Sequence, residues 1–578
     1  MQSSTLYKFW LENDYFDTET KEELLSIKDN PKEIEERFYK DLEFGTGGLR
    51  GIIGAGTNRM NIYTVRKASQ GLADYINSLG MQDRGIAIAY DSRFKSPEFA
   101  LEAAKVFAGN GIKAFLFDEL RPTPELSFTV RHLNAAAGVV VTASHNPKEY
   151  NGYKVYGEDG GQLPVEASNK VISYINKIED ITKIKIMEKD EAIEKGLLKI
   201  IGKEIDDEYI SKLKTLSVNP ELAKEIGSTF KIVYTPLHGS GNKPVRRILD
   251  EIGFKNVLVV KEQELPDCEF STVKSPNPEE KEAFKLAIEL AQKENVDLII
   301  GTDPDSDRVG IVVRNKEGEY VPLTGNQTGC LLLEYILSQK KQRGELPENG
   351  FVVKTIVTTE LARAITEAYN VELVEVLTGF KFIGEKIKQL DEFGDKKYLF
   401  GFEESYGYLA GTFARDKDAV VASMLIAEMA AYYKSRGLTL YEGLLEILEK
   451  YGYTLEGITS FTLKGKDGVE KIKSALTSLR ENKVVKFGEY EAVAVRDYLT
   501  SERYDVATGA REKLTLVESD VLYYELRDKA WFCIRPSGTE PKIKIYYGVT
   551  ESSMDAAKEK LKHLQDNVLS VIEPLLKD

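Results

Sequence analysis

The sequence predicts an α/β protein built from three tandem mixed or parallel α/β domains and a smaller C-terminal α+β domain. Three observations carry this expectation. The chain has 578 residues, too many for one hydrophobic core, so about three or four domains are expected from size alone. Short apolar runs alternate with stretches of helical periodicity as far as about residue 455. Beyond that point, strand-like segments rich in tyrosine and valine take over. The expected domains are residues 1–210, 211–322, 323–455 and 456–578.

The elements follow in chain order. The first 40 or so residues read as helical and lead into the glycine-rich EFGTGGLRG. Val65 to Leu79 is a helical stretch, and GIAIAYD at residues 85–91 has the character of a buried strand. Ser96 and Pro97 suit an N-cap and a first helical position, GNG at 109–111 ends that helix, and IKAFLF follows as a strand. This βαβ alternation implies a mainly parallel sheet covered by helices. It recurs over residues 230–301: FKIVYT, a helix containing VRRILDEIG, NVLVV, a helix from about Glu279 to Glu294, and VDLIIG. It recurs again over residues 325–434, where CLLLEYILSQK, ELARAITEAY and a long segment ending near Tyr433 are helical. FVVKTIV, VELVEVL and YLFGF are the strands between them. In the last unit YEAVAVRDYLT, VLYYELRD, AWFCIRP and PKIKIYYGV read as strands, and Ser552 to Leu576 as an amphipathic helix.

Composition narrows the function. The net charge is −15 and the acidic residues are scattered, which argues against a nonspecific nucleic-acid binder but leaves room for a local basic pocket. The N-terminus lacks the apolar stretch of a signal peptide, and nowhere do 18 apolar residues run together. A cytoplasmic location without a membrane partner is expected. Cys268, Cys330 and Cys533 form no CxxC pair, and only four histidines are present, so neither a disulfide framework nor a multi-histidine metal site is expected. Monomer and homodimer both remain open.

Chemistry concentrates in a few loops. GTDPDSDR at residues 301–308 follows the apolar strand VDLII. Read as an extended segment, it points Asp303, Asp305 and Asp307 to one side. Three carboxylates so close repel unless a cation sits among them, and an oxygen-only donor set suits Mg²⁺. The alternative is a solvated acidic turn. An EF-hand is rejected, because Arg308 stands at the glycine position and Val313 cannot ligate. CIRPSGTEPKIK at 533–544 places the fork of Arg535 before Ser537, Gly538 and Thr539, a phosphate cradle or else a surface turn. VTASHNPKEYNGYK at 141–154 puts Ser144 at a strand-to-loop junction. No GxSxG elbow surrounds it, so taken alone it reads as an N-cap or turn residue. With the aspartates near, a divalent ion bridging them to a phosphate on the Ser144 oxygen is the other reading. LTGFKF at 377–382, GFEESYG at 401–407 and ARDKD at 414–418 are further polar loops between strands.

With these residues in view, the chain resembles the α-D-phosphohexomutase superfamily, in particular its phosphoglucomutase and phosphopentomutase branch. The resemblance spans nearly the whole chain through four motifs in family order. TASHNPKEYNGYK is similar to the phosphoserine loop, GTDPDSDR to the metal loop, GFEESYG to the sugar loop and RPSGTEPK to the phosphate loop. What it implies is a four-domain, heart-shaped enzyme in which Ser144 is a phosphoserine and binds Mg²⁺ together with Asp303, Asp305 and Asp307. His145 would lie beside the phosphoserine, and Lys154 matches the lysine proposed to assist proton transfer. Arg50 matches the arginine near the start of the family's first domain and Lys381 a lysine of its third domain, both expected to be catalytic, and Arg308 directly follows the metal aspartates. Thr378 and Gly379 belong with Lys381 to the specificity loop TGFK. Glu403 and Ser405 match residues that hold sugar hydroxyls, and Arg535, Ser537, Gly538 and Thr539 match the clamp on the non-reacting phosphate. The implied reaction interconverts glucose 1-phosphate and glucose 6-phosphate, with small sugar phosphates as partners and glucose 1,6-bisphosphate as intermediate and activator. GFEES, with Tyr406 at a glycine position, is similar to the subgroup that includes pentose-phosphate mutases and sugar bisphosphate synthases. Phosphopentomutase and glucose-1,6-bisphosphate synthase are therefore the alternative activities, and a noncatalytic sugar-phosphate sensor is the remaining rival.

Overall fold

The computed structural model describes residues 2–45, 47–463, 465–536 and 542–577. Its four sheets follow the predicted order of three α/β units and an α+β unit. The first sheet runs Gly48–Ile52, Tyr150–Gly157, Ala137–Val141, Ile86–Tyr90, Ala114–Phe117 and Leu198–Ile201 across its width. Its central pairs are parallel, as the βαβ alternation requires, whereas Tyr150–Gly157 pairs antiparallel with both its neighbours. The second sheet is ordered Tyr320–Pro322, Val309–Arg314, Leu298–Thr302, Lys231–Thr235 and Asn256–Val259. The third consists of Glu372–Val376, Gly350–Thr355, Lys397–Glu403 and Gly407–Leu409. Each of these two carries an antiparallel hairpin at one edge. The fourth sheet is antiparallel in all its pairs among the described residues, with Tyr453–Thr462 at one edge. The helices Gly465–Glu481 and Met554–Lys577 pack against it.

The long helix Ala419–Ser435 is apolar on every face, and such a helix must be buried. It packs against helices Pro220–Gly227 and Asn242–Ile252 and against the Gly407–Leu409 hairpin strand. One hydrophobic cluster therefore runs from Leu126 and Tyr209 through Ile232 and Ile300 to Met424. The first three units form a continuous block around this helix. At the N-terminus, Gln2–Glu12, Thr18–Ser26 and Pro31–Phe38 are helices, as expected. They wrap an aromatic knot in which Trp10 stacks on Phe16 at 4.4 Å and meets Tyr63 edge-on at 5.3 Å. Among the described residues, no helix is long and apolar enough to cross a membrane.

Two local expectations need correction. The N-cap of helix Ser96–Gly109 is Lys95, in a left-handed conformation, because the Ser96 hydroxyl bonds inward to Asp91 at 2.8 Å. The glycine-rich stretch near residue 48, given no element from the sequence, contains a strand, Gly48–Ile52, pairing with Tyr150–Gly157. Gly48 has φ +143°, and a Cβ there would lie 1.9 Å from the Tyr153 carbonyl oxygen, so the close approach of these strands requires glycine.

Candidate active site

Strand Ala137–Val141 delivers Ser144 to the cleft between the first two units. Ser144 is buried and its backbone is left-handed, φ +53°. Its N–H donates to Thr142 Oγ1 at 2.8 Å, and Thr142 in turn donates to Asp91 Oδ2 at 2.6 Å. The Ser144 hydroxyl donates to Asp303 Oδ2 at 2.9 Å and lies 3.1 Å from His145 Nδ1. Burial, with Arg308, Arg50, Lys154 and Arg93 around it, pushes the His145 pKa well below its ordinary value. The imidazole is therefore neutral at pH 7.

The three aspartates converge as expected, but by a different route. Strand Leu298–Thr302 ends before Asp303, and residues 303–308 form a tight turn with Ser306 at φ +49°. A turn lets the carboxylates meet from several directions, where an extended segment would only align them. One oxygen from each lies within 4.8 Å of the others, and all three residues are buried. Asp305 is gripped by Thr123, through Oγ1 to Oδ2 and N to O, both at 2.9 Å. Lys154 Nζ stands 2.7 Å from Asp305 Oδ2 and 3.3 Å from Asp307 Oδ2. Burial and the two neighbouring carboxylates drive the Asp303 pKa well up, whereas at Asp305 burial is outweighed by Lys154 together with hydrogen bonds from Asp303 and Thr123, which hold it low. Asp305 Oδ1 and Asp307 Oδ1 are buried without hydrogen-bond partners. Such orphaned oxygens are rare in folded proteins and fit a hard divalent cation.

The third unit supplies a further wall of the cleft. Glu403 closes strand Lys397–Glu403; it accepts from Gly379 N at 3.0 Å and from Ser405 Oγ at 3.3 Å. Burial pushes its pKa up to about 7 against the pull of Lys417. Thr378 Oγ1 is buried and unpartnered. Lys381 sits over the Phe382 ring at 5.0 Å, and burial pulls its pKa down. Arg308 is paired with Glu279 and lies 3.9 Å from Asp307 Oδ1. Arg50 Nη1 reaches Asn146 Oδ1 at 3.5 Å from a strand position opposite Gly152. Tyr406 takes φ +63°, and its ring packs against the core cluster around helix Ala419–Ser435. In the fourth unit Arg535 pairs across strands with Lys544. The expected phosphate residues Ser537, Gly538 and Thr539 lie outside the described residues.

Sequence reasoning missed Asp91, Arg93 and Thr123, and it noted Lys417 only as part of a charged loop. Lys417 Nζ bridges Asp307 Oδ2 at 3.3 Å and Asp416 Oδ1 at 3.1 Å, and these carboxylates raise its pKa despite burial. The overlooked signal at Asp91 and Arg93 is an acid and a base placed straight after the apolar strand GIAIAY, where charge needs a buried partner.

Three domain descriptions of one family match the chain. Phosphoglucomutase/phosphomannomutase alpha/beta/alpha domains I, II and III fall on residues 41–182, 207–318 and 324–451. A phosphoglucomutase of Staphylococcus saprophyticus is 38% identical over 555 residues, covering 94% of this chain and 97% of that protein. One from Staphylococcus aureus is 39% identical over 531 residues, covering 92% and 94%. Among solved structures, the Paramecium exocytosis-sensitive phosphoprotein parafusin superposes with a TM-score of 0.68 at 17% identity, covering 93% of this chain and 95% of that one. A phosphoglucomutase/phosphomannomutase family protein of Burkholderia thailandensis gives 0.64 at 17% identity, covering 92% and 97%. At that identity the structures share the fold.

Proposed function

The chain belongs to the phosphoglucomutase/phosphomannomutase family, and we propose on that premise that its cleft interconverts α-D-glucose 1-phosphate and glucose 6-phosphate. It is an intramolecular phosphotransferase acting through a phosphoserine and glucose 1,6-bisphosphate. The observation that carries this reading is the placement of Ser144 Oγ, 2.9 Å from a buried aspartate trio with two unpartnered oxygens.

Ser144 carries the phosphoryl group. In the first transfer the free sugar hydroxyl bonds to phosphorus and the bond to Ser144 Oγ breaks. The hydroxyl proton passes to the site, and the serine oxygen is left to be reprotonated. The bisphosphate then turns over and its other phosphoryl group returns to Ser144, releasing the isomer. Asp303, Asp305 and Asp307, with a phosphoryl oxygen on Ser144, would hold Mg²⁺, which when bound supplies charge neutralisation for in-line transfer. Lys154 and Lys417, kept cationic by Asp305, Asp307 and Asp416, add positive charge beside the reacting oxygens. Arg50, Arg308 and Lys381 line the same cleft as phosphate and proton-handling groups. Glu403, Ser405, Thr378 and Gly379 orient the sugar, and Arg535 with Ser537, Gly538 and Thr539 holds the phosphate that is not reacting. A phosphate held away from the reaction centre is a positioning device, which lets one site read two orientations of a sugar.

The test is direct. Incubation with glucose 1,6-bisphosphate should place one phosphoryl group on the peptide containing Ser144, as read by mass spectrometry, and Ser144→Ala should neither take it up nor turn over glucose 1-phosphate. Near wild-type turnover by Ser144→Ala would sink the reading. Ribose 1-phosphate run alongside decides the sugar: a clear preference for it would keep the chemistry and move the substrate to a pentose.

A further inference from the structure

The loop that bears Ser144 turns four carbonyl oxygens toward a single guanidinium. Arg93 is 1% exposed. Its Nη2 donates to Ser144 O and Asn146 O, and its Nη1 to Pro147 O at 2.9 Å and Tyr150 O at 3.1 Å. Nε lies 3.3 Å from Asp91 Oδ2. A guanidinium offers five N–H donors in one plane, so four serve this loop, and the remaining nitrogen, Nε, makes the ion-pair contact with the Asp91 carboxylate. Asp91 is itself fixed by Ser96 Oγ at 2.8 Å, Thr142 Oγ1 at 2.6 Å and Arg93 N at 3.0 Å. The anchor thus belongs to the rigid strand–helix junction rather than to the loop.

The loop has few bonds of its own. Asn146 N to Ala143 O and Tyr150 N to Pro147 O, both 3.1 Å, are its short-range backbone hydrogen bonds, and Ser144 is held at a positive φ that side chains disfavour. The second unit covers the other side. The buried Phe270 ring lies 5.0 Å from the Arg93 guanidinium carbon, Ser275 Oγ donates to His145 O at 3.1 Å, and Lys148 pairs with Glu269 at 2.6 Å.

We propose that Arg93, with Phe270 seated on it, is the positioning pair that holds Ser144 Oγ against Asp303. Through it, the placement of the second unit's segment 269–275 sets the geometry of the phosphoryl-bearing oxygen. Neither side chain needs to touch substrate. The kinetic part of this inference rests on the mutase reading; the structural part does not. If the clamp is loosened, the serine oxygen leaves its aligned position and transfer slows, because reactivity depends on alignment at the ångström scale. The sugar-binding groups of the third unit are untouched, so substrate affinity stays.

The variants Arg93→Lys and Phe270→Leu test it. A lysine supplies three donors from one point and cannot span four carbonyls, and leucine keeps bulk without a ring face for the cation. Hydrogen exchange at the amides of residues 144–150 is expected to speed up about tenfold or more in each variant, with strand Ala137–Val141 unchanged. With glucose 1-phosphate, kcat is expected to fall about tenfold or more while KM stays within about twofold. Should Arg93→Lys not fold, Phe270→Leu, which leaves every polar contact in place, carries the test alone. Unchanged exchange over 144–150, or exchange accelerated equally in Ala137–Val141, would overturn the clamp, as would a raised KM with kcat intact. A wild-type enzyme without mutase turnover whose variants still show the local acceleration would count against the reaction and leave the clamp standing.

Discussion

Glu403 is the residue at which the cleft's electrostatics are most open to measurement. Buried beside Glu404 and Lys417, it has its pKa pushed up to about 7, and it changes from donor-capable acid to acceptor-only carboxylate within the working pH range. A carboxylate is the form that accepts from sugar hydroxyls. KM for glucose 1-phosphate should therefore fall as pH rises from 6 to 8, and Glu403→Gln should raise KM about ten- to a hundredfold, the worth of one or two lost charge-assisted hydrogen bonds. The substrate phosphate titrates in the same range, so the discriminating result is the difference between the two profiles; identical slopes in wild type and Glu403→Gln would rule out this role. The stability sign is opposite: because the folded pKa lies above the usual 4.5, ionisation lowers stability as pH rises from about 4.5 through 7. At this scale the sequence was legible where residues act in a local cluster, as with the three aspartates, whereas Ser144 taken alone reads as a turn residue and its partner Asp303 lies 159 positions away. The sequence was not legible for Arg93, Thr123 or Lys417, whose partners lie 51, 182 and 110 positions away for the contacts to Ser144, Asp305 and Asp307. Spacing along the chain holds no trace of such pairings.

Among the elements, helix Ala419–Ser435 shows what a buried charge can do for architecture. Glu428 sits on it with no exposed surface. Its Oε1 accepts from Val218 N at 2.8 Å, Asn219 N at 2.9 Å and Tyr335 OH at 2.8 Å, and its Oε2 from Ser217 Oγ. The carboxylate thereby ties the segment entering the second unit to the helix that closes the third. Glu428→Leu fills the volume but strands two backbone N–H groups and a phenol, so a loss of about 3–5 kcal/mol is expected, against about 1–2 for Glu428→Gln, which keeps one acceptor. Urea denaturation followed by helix signal measures both, and a Glu428→Leu midpoint equal to wild type would refute the tie. The helix itself was readable from its largely apolar run, broken within it only by Ser423 and Glu428 before Tyr433, and the parallel strands from their valine and isoleucine content. Tyr150–Gly157 was not, because YNGYKVYG mixes glycine, asparagine and lysine in a strand whose neighbours, not its propensity, hold it in the sheet. That strand carries Lys154, so the lysine was recognised before the element that aims it.

For the whole molecule, the decisive joint lies between the third and fourth units. An apolar seam brings Ile356, Val357 and Leu377 against Tyr523, Trp531 and Tyr546. At its edge Glu375 is shared by Lys354 at 3.0 Å, Arg363 at 2.7 Å and Arg496 at 3.3 Å, the last reaching across from the fourth unit. Lys354 is fully buried and otherwise pairs with Glu360 at 2.8 Å. Burial alone would raise the Glu375 pKa, but these three cations bring it down to about 2. A depressed carboxylate contributes stability that is present above its ordinary pKa of about 4.5 and is lost as pH falls toward 2. Removing the charge by Glu375→Gln should do at neutral pH what acid does to the wild type, leaving Arg496 no carboxylate across the joint and Lys354 one fewer partner. Scanning calorimetry should then show the fourth unit melting as a separate, earlier transition, in the variant at pH 7 and in the wild type near pH 2. Because Arg535 stands on the same strand as the seam residue Trp531, the variant should also bind sugar phosphate more weakly, with KM rising more than kcat falls. A single endotherm at the wild-type temperature, with KM unmoved, would mean that the apolar seam alone sets the fourth unit and that the ion cluster is incidental to the placement of Arg535.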